Sequence, residues 1–223
     1  MKTRLLVAIC LMAAQFTYAQ IPFEVMVGNK QTQYFAYVQK DLDSIGRWNI
    51  FSQSIFAINH KDSTLNSISI DGQLTYMLNN WIGIAAGGAF DGTRFNPTIG
   101  LSLTYFNKKG DFIVNAFPTI QLAKPKALDL FALINYSPQF TPKWGLFSQF
   151  ILGTNLGLQK EYPEQKREVL NFFTRHNGST QMLRVGFNYK QKIQFGIGSD
   201  LAQFGMDLGT FENYGIFFRY QIN

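Results

Sequence analysis

The sequence predicts an all-β fold: an antiparallel transmembrane β-barrel of twelve strands, with ten as the alternative, following a cleaved export signal. Three observations lead there. Segments of apolar–polar alternation recur along the chain, as in Ser67–Leu78, where Ile68, Ile70, Leu74, Tyr76 and Leu78 alternate with Ser67, Ser69, Asp71, Gln73 and Thr75. Clusters of turn-forming residues separate these segments. Aromatic residues make up 16% of the chain, and many close the apolar faces at strand ends. Successive side chains of a strand point to opposite faces, so each such segment has one apolar and one hydrophilic face. The mean hydropathy of −0.05 matches many soluble proteins, but in a barrel the two faces cancel in that average.

The order of elements starts with targeting. Lys2 and Arg4 precede an apolar run from Leu5 to Ala14, and Thr17-Tyr18-Ala19 supplies small residues before Gln20. Such a run is about half the length a membrane-spanning helix needs, and the pattern is that of a secretory signal. The expected organisation is a signal peptide over 1–19 and one barrel domain over 20–223. Cys10, the single cysteine, follows Ile9 rather than a small residue, which argues against a lipoprotein cleavage site, and it leaves with the signal. The processed chain then has no thiol for a disulfide or a metal. Removing two of the 20 basic residues and none of the 14 acidic ones leaves a net charge of +4. That is too small and too scattered for a nucleic-acid surface.

Strands are predicted over 23–39, 46–58, 67–78, 81–90, 99–105, 111–121, 128–136, 144–157, 183–190, 193–198 and 214–222. Asp43-Ser44-Ile45-Gly46, Asn79-Asn80, Asp91-Gly92, Asn107-Lys108-Lys109-Gly110, Lys124-Pro125-Lys126, Ser137-Pro138 and Lys190-Gln191-Lys192 separate them. These are eleven segments, whereas single-chain bacterial barrels have an even number. Either 23–39 folds back at Gly28-Asn29-Lys30 or part of 158–180 adds a strand. Pro118 falls mid-segment, removes a ladder donor and predicts a bulge or a register shift.

The hydrophilic faces carry Asp71, Arg184, Asn188, Arg219 and Gln221 among many glycines, which suits a crowded lumen. These five are the expected polar network of the interior, with Phe117, Phe131 and Phe147 adding bulk. The apolar faces end in Tyr76, Tyr105, Tyr136, Tyr189, Trp81, Trp144 and Tyr214, matching rings at both membrane interfaces. A soluble sandwich explains the alternation equally well. It explains less well the final strand, where Tyr214, Ile216, Phe218, Tyr220 and Ile222 alternate with Gly215, Phe217, Arg219 and Gln221.

The signal, the strand–turn periodicity and the ending Tyr214-Gly-Ile-Phe-Phe-Arg-Tyr-Gln-Ile-Asn223 resemble the small outer-membrane β-barrel proteins of Gram-negative bacteria. The resemblance implies an outer-membrane location, contact with outer-membrane lipids and lipopolysaccharide, and a last strand read by the barrel-assembly machinery. The positions matching that last-strand pattern are Tyr214, Ile216, Phe218, Tyr220 and Ile222. The family usually finishes on an aromatic residue, whereas this chain finishes on Asn223. No catalytic or binding motif comes with the resemblance.

Few residues invite chemistry. Asn59-His60-Lys61-Asp62-Ser63 contains the residue types of a hydrolase triad, but neighbours this close in sequence do not generally reach triad geometry. His176 is expected in the longest loop. Two histidines without a carboxylate at ligand spacing give no metal site, and no cofactor is expected. Gly83-Ile-Ala-Ala-Gly87-Gly88 and Gly196-Ile-Gly198 lack the following helix of a phosphate loop and read as small lumen residues. The charged stretch Lys160–Arg175 reads as a solvated loop with an apolar foot, or as a lid. Lys124, Lys126, Lys166, Arg167 and Arg175 suit lipopolysaccharide phosphates. Three functions follow in order: a structural or accessory barrel, as a subunit of a larger outer-membrane complex with another outer-membrane protein as its partner; a narrow channel for small solutes; and a rim hydrolase of lipids or peptides.

Overall fold

The computed structural model describes residues 21–158, 173–204 and 209–222. The signal segment 1–19 and most of the charged stretch, 160–172, lie outside the described residues. Twelve antiparallel strands follow in chain order: β1 (Ile21–Gly28), β2 (Gln31–Asp41), β3 (Trp48–Asn59), β4 (Ser67–Met77), β5 (Ile82–Phe90), β6 (Phe95–Phe106), β7 (Phe112–Gln121), β8 (Ala127–Tyr136), β9 (Trp144–Leu158), β10 (Phe173–Tyr189), β11 (Ile193–Phe204) and β12 (Gly209–Ile222). Each pairs with its chain neighbours, and β12 pairs with β1 to close the barrel. Closure removes the exposed sheet edge that lipid does not tolerate.

Twelve, not ten, is the strand number, and the parity problem resolves at Gly28. The segment 23–39 folds back there, ending β1 at Gly28 and starting β2 at Gln31. The 173–180 part of 158–180 lengthens β10 instead of forming a strand of its own. His176 therefore lies in β10, opposite Leu156, rather than in a loop. Between β10 and β11, Lys190 and Gln191 both adopt positive φ, 53° and 57°. That mirror-image turn matches the twist of the strands it joins.

Pro118 causes neither a bulge nor a shift. Gly100 pairs with Thr119 and Leu103 with Ala116, so β6 and β7 keep one register across the proline and lose only the pairings between. The other edge of β7 is uninterrupted, with Pro118 opposite Leu130. Irregularities occur instead in β10 against β9, between Phe173 and Arg175 and between His176 and Gly178.

The alternation separates the faces as the sequence predicts. On β4, Asp71, Gln73 and Thr75 pair with inward Gln53, Phe51 and Asn49, while Leu74 and, just past the strand's end, Leu78 are exposed. On β12, Tyr214, Ile216, Phe218 and Tyr220 are exposed to the outside, Ile216 by 68%. Leu183, Val185, Phe187, Phe195, Ile197, Leu101, Leu103, Ile84 and Leu146 extend this apolar belt around the barrel. A surface of this size and continuity is stable against acyl chains and not against water, and the chain is a transmembrane barrel.

The two rims differ. We call the rim where β1 begins the near end and the rim where β1 meets β2 the far end. The near end carries an aromatic girdle. Ring centroids lie 5.0 Å apart for Trp48–Tyr76, 6.1 Å for both Trp81–Tyr105 and Tyr105–Phe112, 6.2 Å for Phe112–Tyr136 and 4.8 Å for Trp144–Tyr189. Of the seven rings expected at two rims, only Tyr214 is at the far end, where Phe90 and Phe95 accompany it. The near end gathers the others because neighbouring strands place their ring-bearing termini side by side there, so the rings also pack on one another.

Candidate functional site

The interior is the candidate site, and it is bridged from wall to wall. Inward positions of β1, β2, β9, β10, β11 and β12 converge on a buried charge cluster. Glu24 is 0% exposed, and Arg184 and Arg219 are 1% exposed each. Glu24 Oε1 accepts from Arg184 Nε at 2.7 Å, and Oε2 accepts from Arg219 Nε at 3.0 Å and Nη2 at 2.5 Å. Arg184 Nη1 also donates to Asp200 Oδ1 at 2.7 Å, and Nη2 to Gln33 Oε1 at 2.8 Å. Arg219 Nη2 donates to Gln149 Oε1 at 2.5 Å, and its guanidinium stacks 4.7 Å from the centroid of Phe147. Two arginines and two carboxylates cancel, so the cluster is neutral with most donors used. That is the condition under which buried charge is tolerable.

Glycine makes room for it. A Cβ on Gly198 would lie 2.8 Å from Met26 Sδ and 3.0 Å from Arg184 Cδ, so only glycine leaves the arginine stem its path along β11.

A second bridge is apolar. Phe51 on β3 reaches Phe117 on β7 at 5.0 Å and Phe131 on β8 at 5.6 Å, and Phe117 and Phe131 lie 6.1 Å apart. Gln39 on β2 and Asn115 on β7 exchange amide hydrogen bonds of 3.2 and 2.9 Å. Phe35, Leu133, Ile151 and Met182 form another buried cluster across the interior. These contacts join strands on facing walls and fill the middle of the barrel. Below them, toward the near end, two open cavities of about 640 and 880 Å³ remain, with Gln39, Lys40 and Asp41 lining both.

The five interior residues named from sequence do not form one network. Arg184 and Arg219 meet through Glu24. Asn188 lies apart, accepting from Gln194 Nε2 at 3.4 Å. Gln221 lines the larger near-end cavity. Asp71 belongs to a different wall, where its Oδ2 accepts from Gln53 Nε2 at 3.0 Å and Ser69 Oγ at 3.3 Å. Glu24 and Asp200, the acidic half of the cluster, were missed. Both had a signal: Phe23-Glu24-Val25-Met26-Val27 alternates, and Asp200 continues the inward row Gln194, Gly196, Gly198 beyond the predicted end of that strand.

The rim residues make local bonds. His60 Nε2 lies 3.0 Å from Thr32 Oγ1. Asp62 caps a single 3-10 turn, accepting from Thr64 N at 2.9 Å and Thr64 Oγ1 at 2.6 Å, and those bonds hold its carboxyl below the usual range. No bond joins His60, Asp62 and Ser63 to one another. In the glycine-rich β5, Gly83, Ala85 and Gly87 face inward, opposite Ser102, Gly100 and Thr98 of β6.

No protein-family model and no curated protein sequence matches the chain. Solved structures similar in fold include a KdgM porin, at 12% identity and a TM-score of 0.47 over 90% of this chain and 98% of that chain. A NanC porin gives 11% and 0.48 over 91% and 99%, and a bacterial polysaccharide outer membrane secretin gives 11% and 0.45 over 93% and 99%. At such identities the likeness concerns the fold. The chain is a closed twelve-stranded antiparallel β-barrel with an apolar outer belt and an interior bridged by side chains.

Proposed function

We propose that this chain is an outer-membrane barrel whose lumen is closed at rest and whose role is structural or accessory, as a subunit beside another outer-membrane protein. The observation that carries the reading is the bridged interior: Phe51, Phe117 and Phe131 pack across the lumen, and Arg184 and Arg219 hold Glu24 between walls. Twelve strands lie between the small barrels filled by side chains and the 16–18-stranded porins, so the bridging side chains rather than the strand number carry the reading. Longer connections of such barrels face outward, and β9 ends and β10 begins at the far end with the longest interval of sequence between strands, which supports a far end facing the exterior and a near end facing the periplasm. Lys124 and Lys126 are exposed in the far-end connection between β7 and β8, within reach of lipopolysaccharide phosphates. The outward row Tyr214, Ile216, Phe218, Tyr220 and Ile222 is the surface offered to the barrel-assembly machinery. The reading is non-enzymatic, in keeping with the separate local bonds of His60 and Asp62.

A second reading, a narrow channel for small solutes, is favoured by one observation. Asn49 and Thr104 line one near-end cavity, and beyond them the buried inward residues of β4–β6 include the polar Gln73, Thr75, Thr98 and Ser102. Conduction along them requires the phenylalanine bridge to move. Affinity purification of the tagged chain from mildly solubilised native membranes separates the two. Stoichiometric recovery of another membrane protein supports the accessory role, whereas a chain that always migrates alone contradicts it.

A further inference from the structure

The larger near-end cavity, about 880 Å³, is of the size of a small-molecule site. Carboxamides dominate its lining. Asn135, Gln139, Asn188, Gln191, Gln194 and Gln221 all border it, carried by β8, the β8–β9 connection, β10, the β10–β11 turn, β11 and β12. Side chains from one continuous arc of the wall thus converge on a single space. Their placement is specific. Asn188 and Gln194 stand directly opposite each other on β10 and β11, 4% and 5% exposed. Gln139 bridges to Gly145, where a Cβ would lie 2.6 Å from both Gln139 Nε2 and Pro138 O, so glycine leaves that amide its place beside β9.

An independent observation is that these amides are not spent on one another. Among the described residues the six make one side-chain hydrogen bond with each other, Gln194 Nε2 to Asn188 Oδ1 at 3.4 Å. Gln194 Oε1 and Asn135 Oδ1 have no partner. In the arginine cluster, by contrast, every oxygen of Glu24 and Asp200 accepts a bond. A buried amide with an unused acceptor costs stability, and a ligand that supplies the donor recovers it. The chemistry of that ligand follows from the lining. Its charged residues are Lys40, Lys109, Asp41 and Asp111, two of each sign, so a charged molecule gains no net attraction. A carboxamide offers both an acceptor and donors, and so does a hydroxyl. Neighbouring hydroxyls of a sugar therefore satisfy such groups in pairs. Tyr37, partly exposed on β2, adds an aromatic face on which the C–H side of a sugar ring packs.

We propose that this cavity binds a neutral oligosaccharide, with the amides of β10, β11 and β12 hydrogen-bonding its hydroxyls and Tyr37 packing against a ring. The cavity opens at the near end, outside the phenylalanine bridge, so binding needs no passage through the barrel. The proposal is independent of whether the barrel is accessory or conducting.

The test is isothermal titration calorimetry of the detergent-folded full chain with maltotriose, cellotriose and triacetylchitotriose. Amine-oxide micelles are used, because a glycoside detergent brings competing hydroxyls. Folding of each variant is checked by its heat-modifiable gel migration. Saturable binding of at least one of the three, one molecule per barrel, is expected. Gln194→Met/Gln221→Met keeps side-chain volume while removing the amides, and is expected to weaken binding about tenfold or more. Gln203→Met, on β11 outside the cavity, is expected to leave it unchanged. Absence of saturable binding of all three up to about 10 mM, or equal binding by the folded double variant, overturns the proposal. Tighter binding of the acidic trisaccharide triguluronate than of every neutral one overturns it too.

Discussion

The two walls of the interior reach stability by different means. On the wall of β1, β2 and β9–β12, charges come in balanced pairs: Arg184 and Arg219 face Glu24 and Asp200, with Arg184 donating through all three guanidinium nitrogens and Arg219 through Nε and Nη2. On the wall of β3–β8 the inward residues are amides, hydroxyls, alanine and glycine, with phenylalanines at mid-height and two carboxylates that meet only neutral donors. The first wall closes the barrel, since it includes the β1–β12 seam. Long-range ion pairs there tie the first strand to the last and to β10. The second wall is built from consecutive hairpins and depends less on any single residue. Closure of a barrel is thus anchored where the sequence separation is greatest, by ion pairs between β1 and both β10 and β12.

The largest expected effect breaks the first wall. Glu24→Gln leaves Arg184 paired with Asp200 and the buried Arg219 with no carboxylate, and is expected to cost about 3–5 kcal/mol, read from urea unfolding followed by tryptophan fluorescence. Asp71→Asn on the second wall is expected to leave the unfolding midpoint unchanged or to raise it, because it removes an unbalanced charge. Equal losses for the two would abolish the contrast between the walls. The outer face of the same seam gives the next effect: Phe218→Arg is expected to cost about 2–4 kcal/mol in lipid vesicles, as for a cation near the bilayer midplane. Gly198→Ala follows, at about 1–3 kcal/mol, since the added Cβ would press on Met26 and Arg184. Pro118→Ala, on β7 of the second wall, is smallest. It restores a ladder donor without changing register and is expected to stay within about 0.5 kcal/mol of the parent.

The fold was legible because period-two alternation is a local property. Once Ile68, Ile70 and Leu74 are on one face, Asp71 and Gln73 must be on the other, and the same rule placed Ile216 and Phe218 outside and Phe217 inside. The weak point was the end of each strand. Alternation fades into turn chemistry at Gly28 and continues past Gly198, so one hairpin was left open between two explanations and Asp200 was omitted. The interior cluster was half legible. Arg184 and Arg219 could be placed on inward faces, but the residue that joins them, Glu24, is 160 and 195 positions away. Which inward residues meet across a lumen depends on strand number and stagger, neither of which alternation encodes. The same ignorance grouped Asp71 with arginines on another wall and spread the aromatic girdle over both rims. Pro118 shows the reverse error: a local rule predicted a distortion that two intact neighbouring strands override.

The central claim is that side chains meeting across the lumen seal this barrel, and planar-bilayer recording of the purified, folded chain tests it most directly. The account predicts a quiet membrane with the unaltered protein, and current steps after Phe51→Ala/Phe117→Ala/Phe131→Ala removes the phenylalanine bridge. Steady stepwise conductance from the unaltered chain at low voltage would contradict it.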